Sequence, residues 1–323
     1  MMKKFRCLAL LMVLILVFVS CTTFAAVKPV KLVYGTVFPV DHYFVKADRY
    51  FKELVEKNSK GQILIDYFPA SQLGSCLEML QATKSGAQQI YGVGFSVQFT
   101  PEMVVFELPY LFRDEEHQKK VAQKLTSVID EDKYIARANM RIIGVRPCSA
   151  RHLTTKSPVY KLEDLKGLKL RVPENPMYLA TWKALGAIPT VIPASDTYTA
   201  LATGTVNGQE NPFSDIYSWK FFEQVKYCAL TGHVRAIYVM QINNDCWKKL
   251  TKKQQKIVRD AAKKSCDYCD ILRKKSEGEY KELLTKGGMK FNTIDTAPFR
   301  AKAKTIWSQF ADEELLKKID AIK

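Results

Sequence analysis

The sequence predicts an α/β fold in two successive units, and three observations carry that prediction. Strands and helices alternate from Val30 to Val145, the alternation restarts after Arg151, and one helical pattern of thirty-odd residues runs from Thr251 to Lys286. Such an order is satisfied by a parallel or mixed sheet covered by helices. Composition agrees, since 323 residues with 47% hydrophobic and 25% charged side chains, 15 Gly and 13 Pro can build cores for about two domains. Disordered, collagen-like and small disulfide-scaffold chains are excluded.

The elements follow in order. Val30 to Gly35 reads as a strand, and Asp41 to Ser59 places Phe44, Ala47, Tyr50, Phe51, Leu54 and Val55 at helical spacing before Gly61. Ile63 to Phe68 alternates as a second strand. Glu78 to Ser85 is helical and ends at Gly86, Gln89 to Val93 is strand-like, and Asp114 to Ala138 reads as one long charged helix before the strand Met140 to Val145. In the second unit Gly167 to Val172 and Thr190 to Ile192 are strands, while Pro176 to Leu185 and Ser195 to Ala202 are helices. The Thr251–Lys286 pattern stops at Gly287-Gly288; at 1.5 Å per residue it spans about 50 Å, enough to bridge two lobes. No Pro/Gly/Ser linker separates the units, so ordered segments are expected to carry the chain between them.

Lys3, Lys4 and Arg6 precede an unbroken apolar run of twelve, Leu8 to Val19, and Thr23-Phe24-Ala25-Ala26 supplies small residues for cleavage. Residues 1–26 therefore read as a secretory signal peptide, too short in its apolar part to span a bilayer comfortably. Cys21 after Ser20 loosely resembles a lipoprotein processing site. Removing three positive charges from the +16 of the whole chain leaves +13, and export makes nucleic acid a poor partner for that charge. Eight cysteines show no framework spacing. The Cys266-Asp267-Tyr268-Cys269 pair lies inside the long helical pattern with no second ligand pair nearby, so six thiols of unassigned pairing are expected after cleavage.

No G-x-S-x-G, H-E-x-x-H, Walker loop or G-x-G-x-x-G is present, and Gly92-Val93-Gly94 alone is weak. His42, His117, His152 and His233 are scattered without metal-ligand spacing, and the acidic run Asp130-Glu131-Asp132 reads as a solvated helix face. Neither an enzyme nor a metal or cofactor is implied.

The informative segments are Lys166-Gly167-Leu168-Lys169-Leu170-Arg171-Val172-Pro173 and, forty residues after Arg171, Asn207-Gly208-Gln209-Glu210-Asn211-Pro212. Further segments accompany them in order: Phe68 to Gly74, Val105-Phe106-Glu107-Leu108-Pro109-Tyr110-Leu111-Phe112, Tyr198 to Leu201, Thr231-Gly232-His233 and Trp247 to Leu250. Together they resemble the solute-binding proteins of TRAP transporters, the DctP family, over almost the whole mature chain. The resemblance implies a two-lobed periplasmic binding protein fold with a ligand cleft between the lobes, lobe I from 27–148 plus 237–276 and lobe II from 149–236 plus 277–323. It also implies a monomer that captures an organic acid and delivers it to the small and large TRAP membrane permease subunits.

In that resemblance Arg171 stands at the family's carboxylate-binding arginine, Arg151 at a second, assisting arginine, and Asn211 at the side chain completing the clamp. A guanidinium suits the role because its paired N–H donors match both carboxylate oxygens and it stays charged when desolvated. Where the sialate-binding branch holds sugar hydroxyls with polar side chains, this chain has Val37, Cys76, Gly94 and Val97; Ala194 and Asp196 depart as well. Sialate is thereby disfavoured, leaving small sugar acids, C4-dicarboxylates, 2-oxo acids and aromatic acids. Phe38, His42, Phe95, Phe213 and Tyr217 are candidates to line the pocket, though each could equally be a core aromatic. The rival expectations are an exported hydrolase and a basic surface-adhesion lipoprotein.

Overall fold

Parallel strands need a crossover between them, and helix α1 (Tyr43–Asn58) supplies the first, joining β1 (Val30–Gly35) to β2 (Ile63–Phe68) with Val30 opposite Ile63. The computed structural model describes residues 28–323, so the leader, with Cys7 and Cys21, lies outside the described residues. The first sheet has the order β2-β1-β3-β10-β4, adding β3 (Ile90–Tyr91), β4 (Met140–Pro147) and β10 (Ile237–Asn243). Strand β10 runs antiparallel to both of its neighbours, which makes the sheet mixed.

The second sheet has the order β11-β9-β5-β8-β6-β7 and holds β5 (Arg151–Thr155), β6 (Lys169–Val172), β7 (Ile188–Val191), β8 (Gly208–Asn211), β9 (Tyr227–Val234) and β11 (Lys290–Asn292). The chain passes from sheet to sheet twice in extended form, at 148–150 and 235–236. There the Cys148 amide donates to the Ala236 carbonyl at 2.9 Å, and buried Gln118 donates to the carbonyls of both residues. The molecule is thus two-lobed α/β.

Helix α2 (Cys76–Ser85) begins earlier than its apolar spacing suggests, because Ser75 and Glu78 form a capping box. The expected long helix over 114–138 is instead three: α3 (Glu115–Gln123), α4 (Leu125–Val128) and α5 (Glu131–Ala138). Ile129 is extended and the Asp130 carboxylate accepts from the Lys133 amide, so the acidic run starts a helix rather than decorating the middle of one.

Helices α6 (Pro176–Ala184) and α7 (Thr197–Ala202) cover the second sheet, and α8 (Phe213–Ser218) follows β8. After α9 (Asn244–Lys249) comes α10 (Lys252–Lys286), whose 35 residues start at a Thr251–Gln254 capping box and touch α1 and β4 of the first unit and α8 of the second. Its Val258, Ala261 and Ala262 join Leu32, Phe51, Val55 and Ile63 in the core over the first sheet, while Leu284 joins Leu201, Ile216 and Val225 over the second. Of the closing helices, α11 (Ala297–Lys304) packs on α6 of the second unit, while α12 (Trp307–Phe310) and α13 (Glu313–Asp320) return to the first, where the Trp307 indole donates to the Pro109 carbonyl and Arg113 meets Asp320. The six cysteines among the described residues are free thiols, and no described helix is long and apolar enough to cross a membrane.

Candidate functional site

Strand β6 alternates an exposed Lys169 with a buried Leu170, then carries Arg171 inward at its C-terminal end, where the guanidinium is only 3% exposed. The Arg171 Nε donates to the Ile192 carbonyl at 2.8 Å, and no carboxylate among the described residues pairs with it. Burial lowers its pKa to about 10, with Glu210 opposing and Arg151 adding to the shift. A buried cation without a counter-charge is costly, and this one faces a cavity.

Arg151, at the start of β5 and 4% exposed, is in a different situation. Its Nε and Nη2 donate to the two Glu210 carboxylate oxygens at 2.6 and 2.8 Å, and Nη2 also donates to Asn211 Oδ1 at 2.8 Å. Glu210 comes from β8, a strand reading Gly-Gln-Glu-Asn that is buried throughout despite its polarity. Burial by itself would raise the Glu210 carboxyl, but the Arg151 charge and a hydrogen bond from His233 outweigh it and hold it at about 2. Burial lowers the pKa of His233, against the pull of Glu210. With Nε2 donating to Glu210 at 2.9 Å, its Nδ1 is left to accept from the Thr231 hydroxyl at 2.8 Å.

The cavity lies between the two sheets' units and holds about 780 Å³, counting its open mouth. Arg171, Arg151, Asn211, Phe38 and Phe95 line it, as do Val37, Cys76, Gly94, Val97 and Ala194, five of the six positions at which this chain departs from the sialate pattern; the sixth, Asp196, is not on the wall.

His42, Phe213 and Tyr217 do not line it. His42 is fully buried behind the wall, stacked on Phe38, capping α1 through Nδ1 and meeting the Asp215 carboxylate through Nε2 at 3.0 Å. Phe213 stacks on His152 and meets Phe291, and Tyr217 stacks on Phe222 beside Tyr280. The reason is helical geometry: residues four apart in α8 share a face while residues two apart do not. Asp215 therefore turns to the cavity, with Trp219 just beyond the helix, and Phe213 and Tyr217 turn to the core.

Sequence reading missed Glu107, Glu174, Asn175, Tyr178, Asp215, Trp219 and Tyr238, all of them on the cavity wall. Glu107 closes a 3-10 turn over Pro101–Glu107 and is 7% exposed; burial pushes its carboxyl up to about 7, with Arg151 pulling the other way. A signal existed, since Glu107 is a lone charge inside the apolar run Val104 to Phe112. Cys76, the thiol on the wall, is pushed up to about 11 by burial, the opposite of a poised nucleophile.

A family model described as bacterial extracellular solute-binding protein, family 7 (DctP), matches residues 34–314. A solute-binding protein of Roseobacter denitrificans is 32% identical over 266 residues, 82% of each chain. Among solved structures, a TRAP periplasmic solute-binding protein of Roseobacter denitrificans with bound L-galactonate superimposes with a TM-score of 0.87 at 29% identity, covering 92% of this chain and 99% of its own. One from Xanthobacter autotrophicus with bound β-D-galacturonate gives 0.86 at 30% identity, covering 90% and 100%. With its two sheets, the cavity between them and a match running from β1 to the last helix, the chain belongs to bacterial extracellular solute-binding protein family 7, the DctP family.

Proposed function

We propose that the protein is a periplasmic receptor that binds the carboxylate of an organic acid on Arg171 and delivers the acid to a TRAP membrane permease without covalent chemistry. The observation that carries this reading is the buried Arg171 guanidinium, facing the cavity with no protein carboxylate paired to it. Asn211 flanks the bound carboxylate, while Arg151, already matched by Glu210, adds direction more than net charge. The relatives that hold L-galactonate and β-D-galacturonate support a sugar acid as the ligand. Sialate is disfavoured, because Val37, Cys76, Gly94 and Val97 offer its hydroxyls little to bond with, at about 1–3 kcal/mol for each one left buried and unpaired.

The mature chain is a monomer, released by cleavage near Ala25 or Ala26, with lipid modification at Cys21 as the alternative processing. Lobe I takes 27–148 plus 237–276 and lobe II takes 149–236 plus 277–323. The sheet crossings at 148–150 and 235–236 support those limits, while the contacts of Trp307 and Asp320 make the tail a strap back onto lobe I.

Calorimetry with a panel of organic acids tests the reading. Wild type should bind at least one sugar acid, and Arg171→Ala should weaken it by about 2–5 kcal/mol, the usual loss on truncating one member of a buried charge pair, or about thirty- to several thousand-fold in Kd. Binding of the variant within threefold of wild type would show that the carboxylate sits elsewhere.

A further inference from the structure

Beyond the arginines, the cavity wall is acidic. Glu107, Glu174 and Asp215 reach it, and among the described residues that line it the only cationic side chains are Arg151, which Glu210 neutralises, and Arg171, which the ligand carboxylate would occupy. Asp215 is engaged by His42, and Glu107 is in no ion pair among the described residues. Glu107 lines the open space, and Gly94 beside it at φ +73 has no side chain: a Cβ there would lie 3.6 Å from Glu107 Oε1 and 3.7 Å from the Tyr238 ring. Beside Glu107 the buried Tyr178 hydroxyl also lines the cavity, near enough to pull the Glu107 carboxyl down together with Asn175 but without a hydrogen bond of full geometry to any described residue. A carboxyl that is in no ion pair and opens onto the cavity is what a ligand hydroxyl requires, and it is penalised if the ligand cannot pair with it.

We infer that Glu107 is the residue that selects the ligand's far end, accepting a hydrogen bond from a hydroxyl and repelling a second carboxylate, so that the receptor takes polyhydroxylated monocarboxylates and rejects dicarboxylates. The inference rests on the carboxylate-receptor reading and assigns the remaining half of the same cavity. Above the raised titration range of Glu107, a dicarboxylate would set its second charge against it with no free cation to meet it, which is discrimination by repulsion. A hydroxyl-free monocarboxylate would bury the cavity side of Glu107 with no ligand group bonded to it.

Calorimetry on the mature chain with L-galactonate, D-galacturonate, hexanoate and adipate tests this at near-constant carbon number. Wild type should bind one of the two sugar acids at least a hundredfold tighter than hexanoate or adipate. The isosteric Glu107→Gln should lose at least tenfold for that sugar acid and narrow the gap to adipate, whereas Arg171→Ala should lose all the acids together. Adipate binding as tightly as the sugar acid in wild type would overturn the inference without any variant, and so would Glu107→Gln binding the sugar acid within threefold. Equal binding by Arg171→Ala would instead overturn the underlying carboxylate reading and leave the role of Glu107 to the adipate comparison. If wild type binds none of the four acids, both readings fail.

Discussion

The Arg151 guanidinium donates two hydrogen bonds to the Glu210 carboxylate, while Arg171, in the same cavity, has among the described residues only the Ile192 carbonyl. Two identical side chains therefore differ in what they offer a ligand, and the difference comes from one residue of the neighbouring strand β8. Glu107 is the third charged group whose state depends on its surroundings. Its carboxyl is raised from 4.5 to about 7 by burial, against the pull of Arg151, Tyr178 and Asn175 and with Glu210 adding to the rise. The folded protein thus holds this proton more tightly than the unfolded chain. The stability contributed is complete below about 4.5 and lost as pH rises to about 7. In urea titrations of the apo protein, the unfolding free energy of wild type minus that of Glu107→Gln should fall across that window; a flat difference would mean that the carboxyl titrates normally.

Among the elements, the segment 114–138 shows how a cap overrides apolar spacing. Its charge pattern suits one helix, but extended Ile129 and the Asp130 side chain on the Lys133 amide start a new one. If Asp130 is a cap, Asp130→Ala should destabilise the protein by about 1 kcal/mol, within the usual 0.5–2 kcal/mol for losing such a cap. A solvated helix face would give a change near zero, and chemical denaturation separates the two. Helix α10 behaves in the opposite way: the Gly287-Gly288 stop expected from the sequence falls at its C-terminal end, and a Thr251–Gln254 capping box opens it.

For the whole molecule, the two extended crossings, the single long helix and the returning tail are the covalent paths between the lobes, and the cavity lies between the lobes. Binding one ligand to groups from both sides favours the conformation that brings them together. Small-angle scattering should therefore show a smaller radius of gyration when the protein is saturated with its acid, and no contraction for Arg171→Ala at the same concentration. An unchanged radius in ligand-saturated wild type would reject closure. The mature charge of +13 expected from the sequence aids only the approach of anions, since screening acts over about 8 Å in physiological salt.

The sequence by itself determined the α/β class, the restart after Arg151, the span of the long helix and the segments that mark the family, because each rests on local periodicity, capping or short motifs. It did not reveal β8, whose Gly-Gln-Glu-Asn is polar yet wholly buried, since that burial is supplied by partners 55 to 60 residues earlier in β5. Nor could it tell which face of α8 meets the cavity, and so it offered Phe213 and Tyr217 where the fold presents Asp215 and Trp219. Glu107 stood in a matched segment without a role, because a charge in an apolar run shows only that burial needs a reason. Tertiary structure decided that reason, by bringing a 3-10 turn of the first unit opposite the strand ends of the second, where burial and distance set which charges are matched and which are left for a ligand.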